Sequence, residues 1–167
     1  TDTSDLSPLY LLINSSFVGG NQLDYCASVA TDSSGYVYVA GNTLSSDFPV
    51  TTGAYDSSIN GNGDVFVCKF TPDLSELIYS TFIGGSNEEN VFSLTVDGSG
   101  CAYIAGNTIS GDYPTTPGAF DESFNSGFYG DVFISKLNQN GTDLIYSTYL
   151  GGSTRDAYRK CDIVVDD

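Results

Sequence analysis

The sequence predicts an all-β protein built from tandem four-stranded antiparallel units, about two and a half of them in this chain. Three observations predict it: a composition rich in glycine and β-formers, an internal repeat, and hairpin punctuation at matching places in each copy. Gly (19), Tyr (12) and Phe (10) are abundant, while His, Met and Trp are absent. Glycine with aromatic and β-branched residues, and few helix formers, is the composition of short strands joined by many turns.

The repeat fixes the unit. Phe17-Val18-Gly19-Gly20 returns as Phe82-Ile83-Gly84-Gly85, 65 residues on, and again as Tyr149-Leu150-Gly151-Gly152, a further 67 on. Tyr38-Val39-Ala40-Gly41-Asn42-Thr43 returns as Tyr103-Ile104-Ala105-Gly106-Asn107-Thr108, and Asp47-Phe48-Pro49 as Asp112-Tyr113-Pro114. Gly63-Asp64-Val65-Phe66 returns as Gly130-Asp131-Val132-Phe133, and Leu77-Ile78-Tyr79-Ser80-Thr81 as Leu144-Ile145-Tyr146-Ser147-Thr148. Self-similarity at such a period marks a stack of supersecondary units.

Each copy reads as four strands. The first has 27–31, 36–42, 64–70 and 77–83; the second has 92–96, 101–107, 131–137 and 144–150. An orphan fourth strand, 11–18, opens the chain, and an orphan first strand, 161–165, closes it. Along the chain this gives an N-terminal extension at 1–10, the orphan strand with the first repeat at 11–76, a linking region with the second repeat at 77–150, and the start of a third repeat at 151–167. Asp32-Ser33-Ser34-Gly35 and Asp97-Gly98-Ser99-Gly100 make the first hairpin of each copy, since Asp bonds its own backbone and Gly supplies φ > 0. Pro72-Asp73 and Asn140-Gly141 punctuate the last hairpin. The connection between second and third strands runs to about 20 residues, long enough to expect an internal structure or a task.

Inside/outside alternation is weak. Val65, Phe66 and Val67 are consecutive and apolar, as are Leu77, Ile78 and Tyr79. Small sheets covered on both faces by neighbours have this pattern, and a radial stack of blades covers them so.

These motifs resemble the SBBP family of β-propeller repeats. The family pattern has an L-x-Y-S-T-[FY]-[LI]-G-G strand, a V-D-x-x-G-x-x-Y-[VI]-x-G-x-T hairpin, an F-P-T-T-x-G-A-[FY]-D loop and a D-[AV]-F-[VI]-x-K-[LF] strand. They stand here at 77–85, 96–108, 113–121 and 131–137. The resemblance implies secreted or cell-surface proteins that use blades as scaffolds or interaction modules, and it supplies no active site to carry over.

Charge and residue type narrow the function. Asp and Glu number 21 against 5 Lys and Arg, a net charge of −16, which argues against nucleic acid and anionic membrane surfaces. No apolar run is long enough for a membrane helix. No signal peptide or initiator Met is present, so the sequence reads as a processed chain or a fragment of a longer one. Without His there is no Ser-His-Asp triad or imidazole base, and no carboxylate pair is marked out for glycoside cleavage, so no enzyme is expected.

Candidate sites follow from spacing. Asn60, Asn62 and Asp64 alternate with glycines, a pattern that wraps a hard cation, with Asp56 preceding them; Asp121 and Asp131 hold the matching places in the second copy. Calcium is the expected cofactor, against the plainer reading that Asn and Gly make turns. An acidic residue also follows each Gly-Gly, as Asp24, Glu89 and Asp156, where a loop cap on backbone N–H groups is the favoured reading. The motif tyrosines are expected between blades rather than on a sugar platform. Cys26, Cys68, Cys101 and Cys161 form no C-x-x-C and point to disulfides, with Cys68–Cys101 expected within the chain and Cys26–Cys161 between chains.

Two and a half blades do not close a ring, and unpaired strand edges invite partners. Copies of the chain, as ring or polymer, or the remainder of a longer propeller are therefore the expected partners, with Leu11, Ile13, Ile163 and Val165 as contacts. The expected role is an extracellular or cell-surface structural protein, a filament or surface-layer component. The alternative is an adhesin or lectin module binding a glycan or protein.

Overall fold

The computed structural model describes residues 13–126, 130–154, 156 and 161–166. Among the described residues eight strands make two four-stranded antiparallel sheets, each in simple up-and-down order. The first sheet, blade 1, holds β1 (Asp24–Thr31), β2 (Val37–Thr43), β3 (Asp64–Phe70) and β4 (Leu77–Ile83). Blade 2 holds β5 (Glu89–Val96), β6 (Ala102–Thr108), β7 (Asp131–Leu137) and β8 (Leu144–Leu150). Among the described residues no helix is long and apolar enough to cross a membrane.

The expected strands stand within a residue at most ends, with one shared exception. β1 and β5 begin three residues earlier than the apolar pattern suggests, at Asp24 and Glu89. Pairing extends that far because Asp24 lies opposite Thr43 and Glu89 opposite Thr108, with a bulge just after. The orphan strands are a correction. Residues 13–18 and 161–166 form no strand, because a strand needs a ladder partner and none faces them among the described residues. Leu11 lies outside the described residues.

The hairpins close as the sequence predicts. Gly35 N–H bonds Asp32 O at 3.0 Å with Gly35 at φ 83°, and Asp32 Oδ1 accepts from Ser34 N–H. Gly100 and Asp97 repeat this, with Asp97 Oδ1 accepting from Ser99 N–H. The long β2–β3 loop proves structural. Phe48 and Tyr113, the aromatic residues of its repeated motif, are buried and stack on Phe66 and Phe133 at 4.4 and 4.5 Å. The loop then runs beside the fourth strand, with Thr51 N–H bonding Ser80 O and Thr116 N–H bonding Ser147 O. That covers the outer edge of each sheet, which would otherwise stand open.

The core lies between the blades. Tyr38, Val65, Val67, Tyr79 and Ile83 of blade 1 cluster with Val91, Leu94 and Ile104 of blade 2. A second cluster, Phe48, Phe66, Cys68, Phe70 and Phe82, fills the other face of blade 1. Strand alternation separates the two, sending Val65 and Val67 one way and Phe66 and Cys68 the other.

Candidate functional site

The chemistry of this chain is concentrated where one blade meets the next. The chain leaves β4 through Gly84-Gly85 and enters β5 at Glu89, and that short loop is held from three sides. Glu89 Oε2 accepts from Gly85 N–H at 3.0 Å, and its Oε1 accepts from the Thr108 hydroxyl at 2.6 Å. Ser110 Oγ accepts from Asn87 N–H, and Asp112 Oδ1 accepts from Ser86 N–H at 2.8 Å. Those Ser86 bonds hold the Asp112 carboxyl below the usual carboxylate range against a smaller opposing effect of burial. The loop before β1 is built alike: Asp24 Oδ2 accepts from Gly20 N–H, Asp24 Oδ1 from Thr43, and Asp47 Oδ1 from Asn21 N–H. Asp156 Oδ2 takes Gly152 N–H at 2.7 Å. The acidic residue after each Gly-Gly is thus a backbone cap, as the sequence favours.

Backbone bonds knit the blades together across the same loop. Glu89 N–H bonds Gly63 O and Asn62 N–H bonds Asn87 O. Asn42 reaches across from blade 1, accepting from Val91 N–H at 3.2 Å and donating to Glu89 O. Ser28 Oγ accepts from Leu94 N–H at 3.2 Å. Tyr38, fully buried, sets its hydroxyl 3.1 Å from Asp32 Oδ2 and 3.3 Å from Gly100 O of blade 2. Burial above all, then the Asp32 carboxylate, raises that phenol well above its ordinary value. Tyr38 and Tyr79 therefore belong to the interblade core, as the sequence predicts.

The predicted cation ligands take two different roles. Asp56 Oδ1 accepts from Ser58 N–H and Asp56 Oδ2 from the Asn60 amide, while Asp121 is engaged in the same way by Ser123 and Asn125. Asn60 N–H bonds Asp64 Oδ2 at 3.0 Å, and the Asn62 side chain is exposed. The loop groups thus satisfy one another as turns. Among the described residues no three carboxylate, thiol or imidazole groups converge on one point.

Asp64 and Asp131 are different. Both are 0% exposed, and in each Oδ1 has no hydrogen-bond donor among the described residues. Burial is the main cause that pushes the Asp64 carboxyl up to about 7; the Asn60 N–H opposes this, and the charges of Glu89 and Asp56 add to it. Asp64 Oδ1 faces Gly84, where Glu89 Oε2 also arrives: a Cβ on Gly84 would meet them at 2.5 and 2.7 Å. At Gly151 a Cβ would meet Asp131 Oδ1 at 2.6 Å and Asp156 Oδ2 at 2.9 Å. The spacing of the loop motif missed Glu89 and Asp156 as neighbours of these buried acids. The recurrence of an acid after every Gly-Gly was the available signal. A cleft of about 260 Å3 opens beside Glu89, lined by Asn42, Thr43, Asn62, Gly63, Glu88 and Asn90.

The Cys68–Cys101 pairing is a correction: no bridge joins these two buried cysteines within the chain. The Cys26–Cys161 bridge, expected between chains, concerns an assembly rather than the single chain. Cys68 lies on the face of β3 turned away from blade 2, among Phe66, Phe70 and Phe82, where its Sγ donates to Ser80 Oγ at 3.3 Å. That orientation is set by strand alternation, so the expected bridge to Cys101 is not made. Cys26 is exposed and Cys161 half-buried. Of the predicted contacts, Ile13 is exposed, Val165 is half-buried, and Ile163 N–H bonds Ser93 Oγ at 3.2 Å. Ile163 thereby meets blade 2 as Leu94 meets Ser28 of blade 1.

No curated protein matches the chain. Residues 13–49, from the segment before the first Gly-Gly through β1 and β2 to Pro49, match a family model described as SBBP, a beta-propeller repeat. Two four-stranded blades, repeated motif for motif and joined at a common loop, agree with that match, which covers residues 13–49.

Proposed function

We propose that the chain is a non-enzymatic structural module of an extracellular or cell-surface assembly, in which further copies extend the row of blades into a filament or surface layer. The observation that carries this reading is the open face of blade 1. Val29, beside Val39 and the exposed Phe17, is 57% exposed there, while Leu94, which holds the place of Val29 in blade 2, is 6% exposed because blade 1 covers it. An apolar surface built to the pattern of a buried interblade surface calls for another blade. The absence of His and the strong negative charge support the non-enzymatic, extracellular part of the reading.

Sedimentation velocity over a range of concentrations, with negative-stain electron microscopy, tests it. Threads with a regular axial repeat are expected, and the variant Val29→Asp should abolish them while leaving the fold intact. Single particles at every concentration would sink the reading.

A further inference from the structure

We propose that the two buried carboxylate oxygens above Gly84, Asp64 Oδ1 and Glu89 Oε2, bind a hard divalent cation, Ca2+ or Mg2+, that joins β3 of one blade to β5 of the next, and that Asp131 and Asp156 above Gly151 form the second such site.

The geometry is specific to these atoms. The other three oxygens of these two carboxylates have protein donors: Asp64 Oδ2 takes Asn60 N–H, Glu89 Oε1 takes Thr108, and Glu89 Oε2 takes Gly85 N–H. Asp64 Oδ1 has none although it is fully buried. An anionic oxygen taken from water and left without a donor is costly, and the cost is met when a cation coordinates it. The arrangement recurs at the second junction, where Asp131 Oδ2 takes Asn125 N–H and Oδ1 again has no donor among the described residues. Two independent copies of an unmatched buried oxygen, each beside a second carboxylate, point to a ligand the sequence provides for twice.

Glycine is what leaves the space. Both oxygens converge on the face of Gly84 that a side chain would fill. Among the described residues the lysines lie elsewhere: Lys69 and Lys136 sit at the first hairpins, on Asp32 and Asp97. Two carboxylates with water completing the shell are a usual environment for Mg2+, and Ca2+ takes the same ligands with more oxygens. Glu89 also lines the cleft with Asn62 and Gly63. Asp24, beside Gly19, presents the first-strand acid of a third such site, whose Asp64 counterpart would belong to a preceding blade. Binding at the two complete sites does not depend on assembly.

The test is calorimetric titration of the chelator-stripped full chain with CaCl2 and, separately, MgCl2, paired with melting curves. Saturable binding of two ions per chain and a rise in Tm are expected for at least one of the salts. Asp64→Asn should remove one of the two events or weaken it by about tenfold or more, and Glu89→Gln should do the same. Because Asp64→Asn relieves a buried charge, its metal-free form should melt no lower than the metal-free parent, so loss of binding will not be loss of fold. Gly84→Ala, which fills the space, should also lose that event, whereas Asp56→Asn in the exposed turn should keep both. Unsaturable heats alone, or two intact events in Asp64→Asn, would overturn the site.

Discussion

β1 and β5 occupy the same place in two copies of one repeat and have opposite surroundings. In β5, Val91 and Leu94 enter the interblade core; in β1, Cys26 and Val29 hold those places and face outward. The strands themselves differ little: each pairs with its second strand in the same register, with the same bulge. What differs is the neighbour. A blade's first strand is therefore made by its own sheet but buried only by the blade before it, and interblade packing can be measured by comparing equivalent residues.

The largest contrast should come from the core position itself. Leu94→Ala is expected to cost about 2–5 kcal/mol, because it removes a buried side chain and leaves a cavity between the blades. Val29→Ala in the monomeric chain should stay within about 0.5 kcal/mol. Urea denaturation of both variants measures the pair. Equal losses would mean that the blade interface contributes nothing at this position.

A smaller contrast lies in the repeated asparagine. Asn42 bonds Val91 N–H and Glu89 O across the junction, whereas Asn107 donates to Asp131 O inside its own blade. Asn42→Ala should cost about 1–3 kcal/mol, since a backbone N–H loses its acceptor, and Asn107→Ala about 1 kcal/mol or less. Hydrogen exchange at the Val91 amide would sharpen the comparison: it should quicken in Asn42→Ala and not in Asn107→Ala.

The smallest effect is electrostatic and follows the first hairpins. Lys136 Nζ stands 3.0 Å from Asp97 Oδ2, against 3.9 Å for Lys69 and Asp32. Burial acts to raise the Asp97 carboxyl, but hydrogen bonds from Cys101 N–H, Lys136, Ser99 N–H and Tyr103 outweigh it and hold it below its ordinary value. A carboxyl lowered in the fold contributes stability that is present above its unfolded value of about 3.9 and is lost as pH falls through the folded one. Acid titration of stability should therefore show a decline below about pH 4 that is shallower in Asp97→Asn. A profile identical to the parent's would remove Asp97 from the account.

Local regularities made most of the fold legible. Tyr38-Val39-Ala40-Gly41-Asn42-Thr43 and its copy mark a strand twice over, and Asp32 to Gly35 is a turn by its own chemistry, whatever surrounds it. The acid after Gly-Gly was readable as a cap because it bonds an amide only four residues away. The cation ligands were harder to read. Asp56, Asn60 and Asn62 have ligand-like spacing, yet at short range their donors and acceptors find one another first. Asp64 and Glu89 lie 25 residues apart on different blades, and only folding brings them to Gly84.

By itself the sequence determined the repeat, the strands and hairpins, the acidic character and the SBBP resemblance, because each depends on residue type and near-neighbour spacing. The tertiary structure alone decided which face of β3 carries Cys68, which oxygen of Asp64 is left without a donor, and that one blade's first strand is buried while its twin is open. Those are properties of how sheets stack. Stacking brings together residues whose separation along the chain carries no local signal.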